Sequence, residues 1–395
     1  MVNELRSAFN KSFSAGKYNS LIESINKEYP GALDFRNAET PVFVPKEFTD
    51  KMLHVCNSIV DVILRDDFKK LTERSIPDDL NVPAEDAKPQ CLVFDFGVCR
   101  NENGNLEPQL IEMQAFPSLF CFQMFYDELV RQYADVPGNY SAYLNGFDKE
   151  SYIRLLKNII IGDESPENVI LLEIYPHLQK TRIDFECTKK MLGIEIVCLS
   201  DVFAEGRHLY YKKNGGKVLI KRIFNRIIFD DLRQQEGWEK LTDLTGDYDV
   251  KWIPHPNWFY RVSKFTLPFI DHPNVPETFF LNEITQPLPL EDYVLKPLFS
   301  FAGMGVVIDV TQEDIDKIKD PENWILQKKV EYADAVETPD GNAKVEIRLF
   351  FFWDESQKRP FAVHNLARLS KGKMIGTRYN KNKTWVGGSI AYFEK

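Results

Sequence analysis

The chain has 395 residues, an apolar fraction of 44%, an aromatic fraction of 13% and a formal charge of −10 at neutral pH. That length predicts two or three packed units rather than one core. The acidic balance argues against a nucleic-acid partner, which needs a basic face. It leaves room for a phosphorylated small molecule held by a local cluster of cations.

Residues 1–44 read as a helix and a connecting arm, with short apolar clusters at Phe9, Phe13, Leu21 and Ile25. A helix is predicted from about Pro45 to Leu71, because Phe48, Met52, Val55, Cys56, Ile59, Val62 and Ile63 recur at helical spacing. Residues 76–90 are rich in Pro and Asp and read as a loop. Strands near 91–98 and 108–113, joined by a turn at Gly104, precede an aromatic helix over 118–133. Pro137-Gly138-Asn139 opens a loop that puts a boundary between 135 and 150. These limits define an arm (1–44) and a unit over 45–135.

Residues 150–260 alternate helix and strand, an α/β unit. The near-continuous apolar run at 169–174 fits a buried parallel strand. A helix over 181–192 stops at Gly193, a strand follows at 194–199, a hairpin flanks Gly215 and Gly216, and another strand begins at Ile223. From 261 to 395 the pattern changes to antiparallel strands and helices. Strands are expected near 293–296, 304–310, 324–327, 344–353, 360–368 and 386–393.

Six cysteines (Cys56, Cys91, Cys99, Cys121, Cys187 and Cys198) form no C-x-x-C pair and no Cys/His cluster, so buried thiols are expected. The first residues show no signal pattern, and no window approaches the roughly 20 apolar residues of a membrane span. A reducing, cytoplasmic setting without a membrane partner is the default expectation.

Lys296 lies on an apolar strand, where a buried ammonium is costly unless an anion sits beside it. After it, residues 300–305, including Gly303 and Gly305, remove side-chain bulk and would let backbone N–H groups approach a phosphate. An ordinary glycine hairpin beside a surface lysine would explain this segment taken alone. Glu346 and Arg348 alternate with apolar neighbours and share a strand face. Glu112 and Gln114 do likewise, following an Asp95 strand. These oxygens suit magnesium, which bridges to nucleotide phosphates, although two acids on a sheet are individually ordinary.

Taken in succession, Lys264, Val275-Pro276-Glu277-Thr278, Lys296-Pro297 with its glycine loop, and the hydrophobic strand ending in Gln327 resemble the ATP-grasp superfamily. The resemblance implies that Lys264 and Lys296 contact the phosphates of ATP. It makes Gln327, Lys328, Lys329 and Val330 the adenine hinge and Glu331 a ribose acceptor, with Glu346 in the same site. The segment holding Arg368, then Asn380 and Asn382, then Gly387-Gly388 resembles the glutathione synthetase branch. There two arginines and an asparagine face phosphoryl transfer, here Arg348, Arg368 and either Asn380 or Asn382. In unpermuted relatives the metal-bearing strands follow the Gly-Gly strand. Here Asp95, Glu112 and Gln114 occur far upstream, so the resemblance is to a circularly permuted ATP-grasp fold. Gln114 replaces the usual Asn.

Residues 150–260 resemble the Rossmann-like pre-ATP-grasp domain of the glutathionylspermidine synthetase group, and Glu173, Arg182 and Arg226 are candidates to face a substrate. The reaction implied is an ATP- and Mg²⁺-dependent ligation of a small carboxylate to an amine, through an acylphosphate. A catalytically silent nucleotide- or partner-binding module and a phosphotransferase on the same fold are the alternatives. The permuted reading also places the C-terminal strand beside the entry to the Pro45 helix.

Overall fold

The computed structural model describes residues 1–299, 304–372, 375 and 380–395. Two helices, α1 (Asn3–Ser12) and α2 (Ala15–Glu28), precede a short strand, β1 (Val42–Val44). Helix α3 (Lys46–Ile63) follows and buries Phe48, Met52, Val55, Cys56, Ile59, Val60 and Ile63 along one side. It stops at Ile63 rather than running on to Leu71. The Arg65 guanidinium folds onto Asp67 at 2.9 and 2.8 Å, closing a turn ahead of the single-turn helix α4 (Phe68–Leu71).

Strands β2 (Cys91–Arg100) and β3 (Leu106–Gln114) form a hairpin, followed by α5 (Phe120–Tyr133), β4 (Tyr140–Ser141) and α6 (Lys149–Ile160). Next come β5 (Val169–Glu173), α7 (Arg182–Leu192) and β6 (Glu195–Cys198), then a meander of β7 (Val202–Glu205), β8 (His208–Lys213) and β9 (Gly216–Ile220). The remaining strands are β10 (Arg222–Asn225), β11 (Lys251–Ile253), β12 (Thr278–Phe280), β13 (Tyr293–Pro297), β14 (Trp324–Lys328), β15 (Lys344–Phe352), β16 (Phe361–Ser370), β17 (Gly387–Ser389) and β18 (Ala391–Glu394). The strand expected at 304–310 does not form. Among the described residues a single bridge, Leu295 to Val307, returns the chain to β13, just after Gly305 turns with φ +71° against Pro297.

The sheet that positions the site has the order β17-β16-β15-β2-β3 and is antiparallel throughout. Its central pair joins distant parts of the chain, with Arg348 opposite Asp95 and Glu346 opposite Gly97. Side chains alternate across a sheet, so Phe94, Phe96, Ile347, Leu349 and Phe351 share one core with α3. The opposite face divides in two. Val93, Phe350, Phe352 and Leu366 join the core built around α5, while Asp95, Glu346, Arg348 and Arg368 form a charged half.

A parallel sheet of order β11-β10-β5-β6 lies elsewhere in the molecule. Val169 and Leu171 enter one core and Ile170 and Leu172 another, which explains why that strand is apolar at every position. Strands β12, β14 and β13 make a small antiparallel sheet.

Strand β18 runs parallel to β1, with Phe393 opposite Val44, and the Lys46 amide donates to the Glu394 carboxylate at 3.2 Å. The C-terminal strand therefore lies at the entry to α3, as expected. Residues 1–44 are tied into the same body. Leu21 and Ile25 are buried with α5, and buried Arg6 donates to the Pro41 carbonyl at 3.1 Å. Gly388 exchanges backbone hydrogen bonds with Arg36 and Ala38 at 2.8 and 2.7 Å. A Cβ at Gly387, where φ is +122°, would meet the Arg36 carbonyl oxygen at 2.3 Å, so this close approach requires glycine. All six cysteines are unpaired and five are buried. Among the described residues, no helix is long and apolar enough to cross a membrane.

Candidate active site

The charged half-face is organised by Asp95, which is 1% exposed. Arg348 binds it with two parallel hydrogen bonds, Nε to Oδ1 at 2.6 Å and Nη2 to Oδ2 at 2.7 Å. Arg368 adds a third from Nη2 at 2.8 Å, and the same nitrogen reaches Glu346 at 2.8 Å. Strand register alone sets these pairs, since Arg348 stands opposite Asp95 and Arg368 opposite Glu346. Burial pushes the Asp95 carboxyl up, but the two guanidinium charges and their hydrogen bonds outweigh it and hold it below the usual range. Glu346 moves the other way. Its burial, with Asp95 and Glu112 nearby, raises it against the pull of Arg368 and Tyr332.

Glu112 stands opposite Asp95 on β3, and its side chain makes no hydrogen bond or ion pair with the described residues. Its charge acts on both Lys264 and Lys296, so the β3 carboxylate and the two lysines share one electrostatic neighbourhood. Lys264 is 9% exposed and donates to the Leu298 carbonyl at 3.3 Å. The Lys296 ammonium donates to the Gln327 side-chain oxygen, and Gln327 Nε2 donates to Thr278 Oγ1 at 3.3 Å. Burial lowers both lysines. For Lys296, with Lys264 adding repulsion and Glu112 opposing, the value falls to about 8.

The segment after β14 ties the small sheet to β2. The Arg100 amide donates to the Glu331 carbonyl at 3.2 Å, and the Ala333 amide to the Val98 carbonyl at 2.9 Å. This lays Tyr332 across Gly97, and the Tyr332 hydroxyl donates to Glu346. A Cβ on Gly97 would sit 2.9 Å from Tyr332 Cε1 and 3.1 Å from Ile111 Cδ1. Gly97→Ala is therefore expected to displace the Tyr332 ring and cost about 1–3 kcal/mol as an overpacked site. A thermal melt and a nucleotide titration check it, and an unchanged melt would show that the ring yields freely. Neither Tyr332 nor Gly97 was singled out in the sequence. The available signal was a glycine inside an apolar strand, a mark of close approach.

The other expected residues are placed as follows. Gly303 lies outside the described residues. Gly305 packs on Pro297, one residue beyond Lys296. Lys328 is exposed and its amide donates to the Glu277 carbonyl at 2.8 Å, while the Lys329 amide donates to the Asp292 carbonyl at 2.7 Å. Val330 is half-buried and Glu331 exposed. Asn380 fastens a turn, bonding Ser370 Oγ at 2.8 Å and accepting from the Lys371 amide at 2.9 Å. Asn382 is exposed with φ +63°. No described contact joins either asparagine to the Asp95 face. Arg182 reaches Asp34 at 3.3 Å, and buried Arg226 is repelled by the like charge of Arg348.

The residues present fit a polyanion and a divalent ion. Buried Lys264 and half-buried Lys296, which repel each other, suit a multiply charged anion. Glu112 and Gln114 share a strand face. Asp95 has three of its roughly four lone-pair directions filled by arginine, leaving about one. No group of three or more His, Cys, Asp or Glu side chains suited to a metal occurs among the described residues. An ion here would thus take most of its ligands from phosphate and water, as magnesium does.

No family model matches the chain, and no curated protein matches its sequence. Among solved structures, the chain is similar to a glutathione synthetase-like effector from Globodera pallida in its apo form, with a TM-score of 0.57. The match covers 95% of this chain and 96% of that one at 9% identity. The mixed α/β architecture with several sheets is thus shared with that protein.

Proposed function

We propose that the chain is a circularly permuted ATP-grasp ligase that joins a small carboxylate to an amine at the expense of ATP. The observation that carries this reading is the convergence of Glu112 with Lys264 and Lys296 beside the Asp95, Arg348, Glu346 and Arg368 cluster. These groups come from opposite ends of the sequence. The permuted topology is supported by β2 and β3 completing the sheet of β15, β16 and β17, and by β18 running beside β1 into α3. The likeness to a glutathione synthetase-like protein supports the fold assignment.

In this reading Lys264 and Lys296 hold the phosphates, and residues 327–331 line the base and ribose. A carboxylate oxygen of the substrate attacks the γ-phosphorus and the bond to ADP breaks, giving an acylphosphate. An amine then attacks the acyl carbon, phosphate leaves, and the amine loses a proton. Arg348 and Arg368 neutralise the transferring group, and the chain's main work is orientation and charge. Glu112 and Gln114, with the remaining lone pair of Asp95, would hold a magnesium ion, which when bound would further neutralise the phosphates.

A nucleotide-binding module without turnover is the second reading, favoured by the engagement of Asp95 with two arginines. Phosphate release from ATP, screened against carboxylates with hydroxylamine as the nucleophile, separates the two. Carboxylate-dependent hydroxamate formation is the expected result. ATP binding with no phosphate release across carboxylates, amino acids, polyamines and small peptides would favour the silent module.

A further inference from the structure

The tripeptide His-Pro-Asn occurs twice, at 255–257 and 272–274. Both copies fold the same way. The imidazole Nδ1 accepts from the asparagine amide two residues on, His255 from Asn257 at 3.3 Å and His272 from Asn274 at 3.1 Å. The proline between them brings no amide of its own. An Nδ1 that accepts is unprotonated, so the neutral ring carries its proton on Nε2. In the first copy the Pro83 carbonyl, 3.0 Å from Nε2, accepts from that side of the ring.

Each turn ties its asparagine to a distant segment. Asn257 bonds the Val82 amide and carbonyl at 3.0 and 3.1 Å. Asn274 clips β3. Its Nδ2 donates to the Pro108 carbonyl at 2.8 Å, and its backbone carbonyl accepts from the Leu110 amide at 2.8 Å. Strand β3 is an edge of the five-stranded sheet, so the clip satisfies groups that no neighbouring strand reaches. The register against β2 steps between Leu110 and Glu112, leaving Ile111 as the extra residue of a bulge. A bulge re-aims the side chains beside it, so the clip holds the strand where Glu112 takes its direction.

The two copies differ in their surroundings. His255 is 1% exposed, whereas His272 is half-buried and open to solvent protons. Burial lowers His255, and Glu85 and Asp86 pull against it while Lys69 adds to it. Burial also lowers His272. His54 lowers it further, and Asp271 pulls the other way. The exposed His54 ring, on α3, stands 5.6 Å from the His272 ring between centroids. Asp50, one turn earlier on α3, is engaged with Lys46 at 3.7 Å. From β3 comes the neutral Gln109, whose Nε2 donates to the Pro273 carbonyl at 3.4 Å. A proton on His272 Nδ1 would replace the acceptor of the Asn274 amide with a second donor facing it. It would also set a like charge against His54 once that ring is protonated.

We propose that the 272–274 turn is an acid-released clip: a proton taken up by His272, reinforced by one on His54, breaks the bond to the Asn274 amide and frees the β3 edge beside Glu112. The device operates whether or not the site turns over ATP. Neutral His272 contributes stability above its unfolded value of roughly 6.5. That contribution is lost as pH falls from there through the lower folded value.

Hydrogen exchange of the full chain at pH 7 and pH 5, read by mass spectrometry and corrected for the intrinsic pH dependence of exchange, tests the clip. On acidification, exchange over 106–112 is expected to rise roughly tenfold relative to β15, as a local opening of the edge. His272→Asn is expected to keep the protection and lose most of the acid response, because an asparagine side-chain oxygen accepts from the amide two residues on without titrating. His54→Gln is expected to move the release to lower pH. Equal protection of 106–112 at both pH values, or an undiminished acid response in His272→Asn, would overturn the proposal. So would a rise shared equally by β15, which would mean that the whole fold opens in acid. Where His272→Asn fails to fold, an unmoved release in His54→Gln overturns it instead.

Discussion

Asp95→Asn is expected to destabilise the chain by about 3–5 kcal/mol, because it leaves two arginines facing a neutral amide in a buried site. In a melt this should appear as a midpoint lower by roughly 5–10 °C. The sign with pH follows from the lowered carboxyl. Asp95 contributes stability above its unfolded value of roughly 3.9, and that contribution is lost as pH falls through its lower folded value. Parent and variant should therefore differ at pH 7 and converge in acid. Adding Arg348→Met to Asp95→Asn should recover part of the loss, since removing both partners of a buried pair costs less than removing one. Equal melting midpoints for parent and Asp95→Asn at pH 7 would show that the clasp contributes little.

The same cluster shows what could be read from sequence and what could not. Period-two spacing is enough to put Glu112 with Gln114, and Glu346 with Arg348, on shared faces. It does not reveal register. Only the pairing of β15 with β2 decides that Arg348 meets Asp95 rather than a phosphate directly. A single-residue shift would have turned every charge into the core. The helical stripe of α3 was legible because its apolar positions repeat, but its end was not, since the Arg65–Asp67 turn is a local contact with no periodicity. The missing strand at 304–310 shows the converse, an apolar segment that pairs at one bridge alone among the described residues, next to the turn of Gly305 on Pro297. Residues 1–44 read as a peripheral arm because polar positions outnumber apolar ones. Their hold on the body comes from a few buried apolar residues such as Leu21 and Ile25, and from backbone bonds to Gly388 and the buried Arg6, which composition does not register.

Lys296→Met is expected to weaken ATP binding roughly 10- to 100-fold, the loss of a charge-assisted contact made in a partly buried site. It should do so without lowering stability, which separates it from Asp95→Asn. Burial, with Lys264 adding repulsion, takes Lys296 down to about 8, below its unfolded value of roughly 10.4. A lysine shifted in that direction costs the fold stability wherever it is protonated, and the cost fades as pH rises through 8. At pH 7 the methionine variant, similar in length and uncharged, should therefore melt at or above the parent in the absence of nucleotide. Phosphate favours the charged ammonium, so ATP binding should draw a proton onto Lys296 between about pH 8 and 10. Calorimetry in two buffers of different ionisation heat would report that uptake, and affinity should decline as pH rises above 8. In Lys296→Met the part of the uptake due to this lysine should disappear, leaving only that of Lys264. A folded Lys296→Met variant that binds ATP as tightly as the parent, with the same proton uptake, would remove the nucleotide from this site and with it the reading of the chain as a ligase.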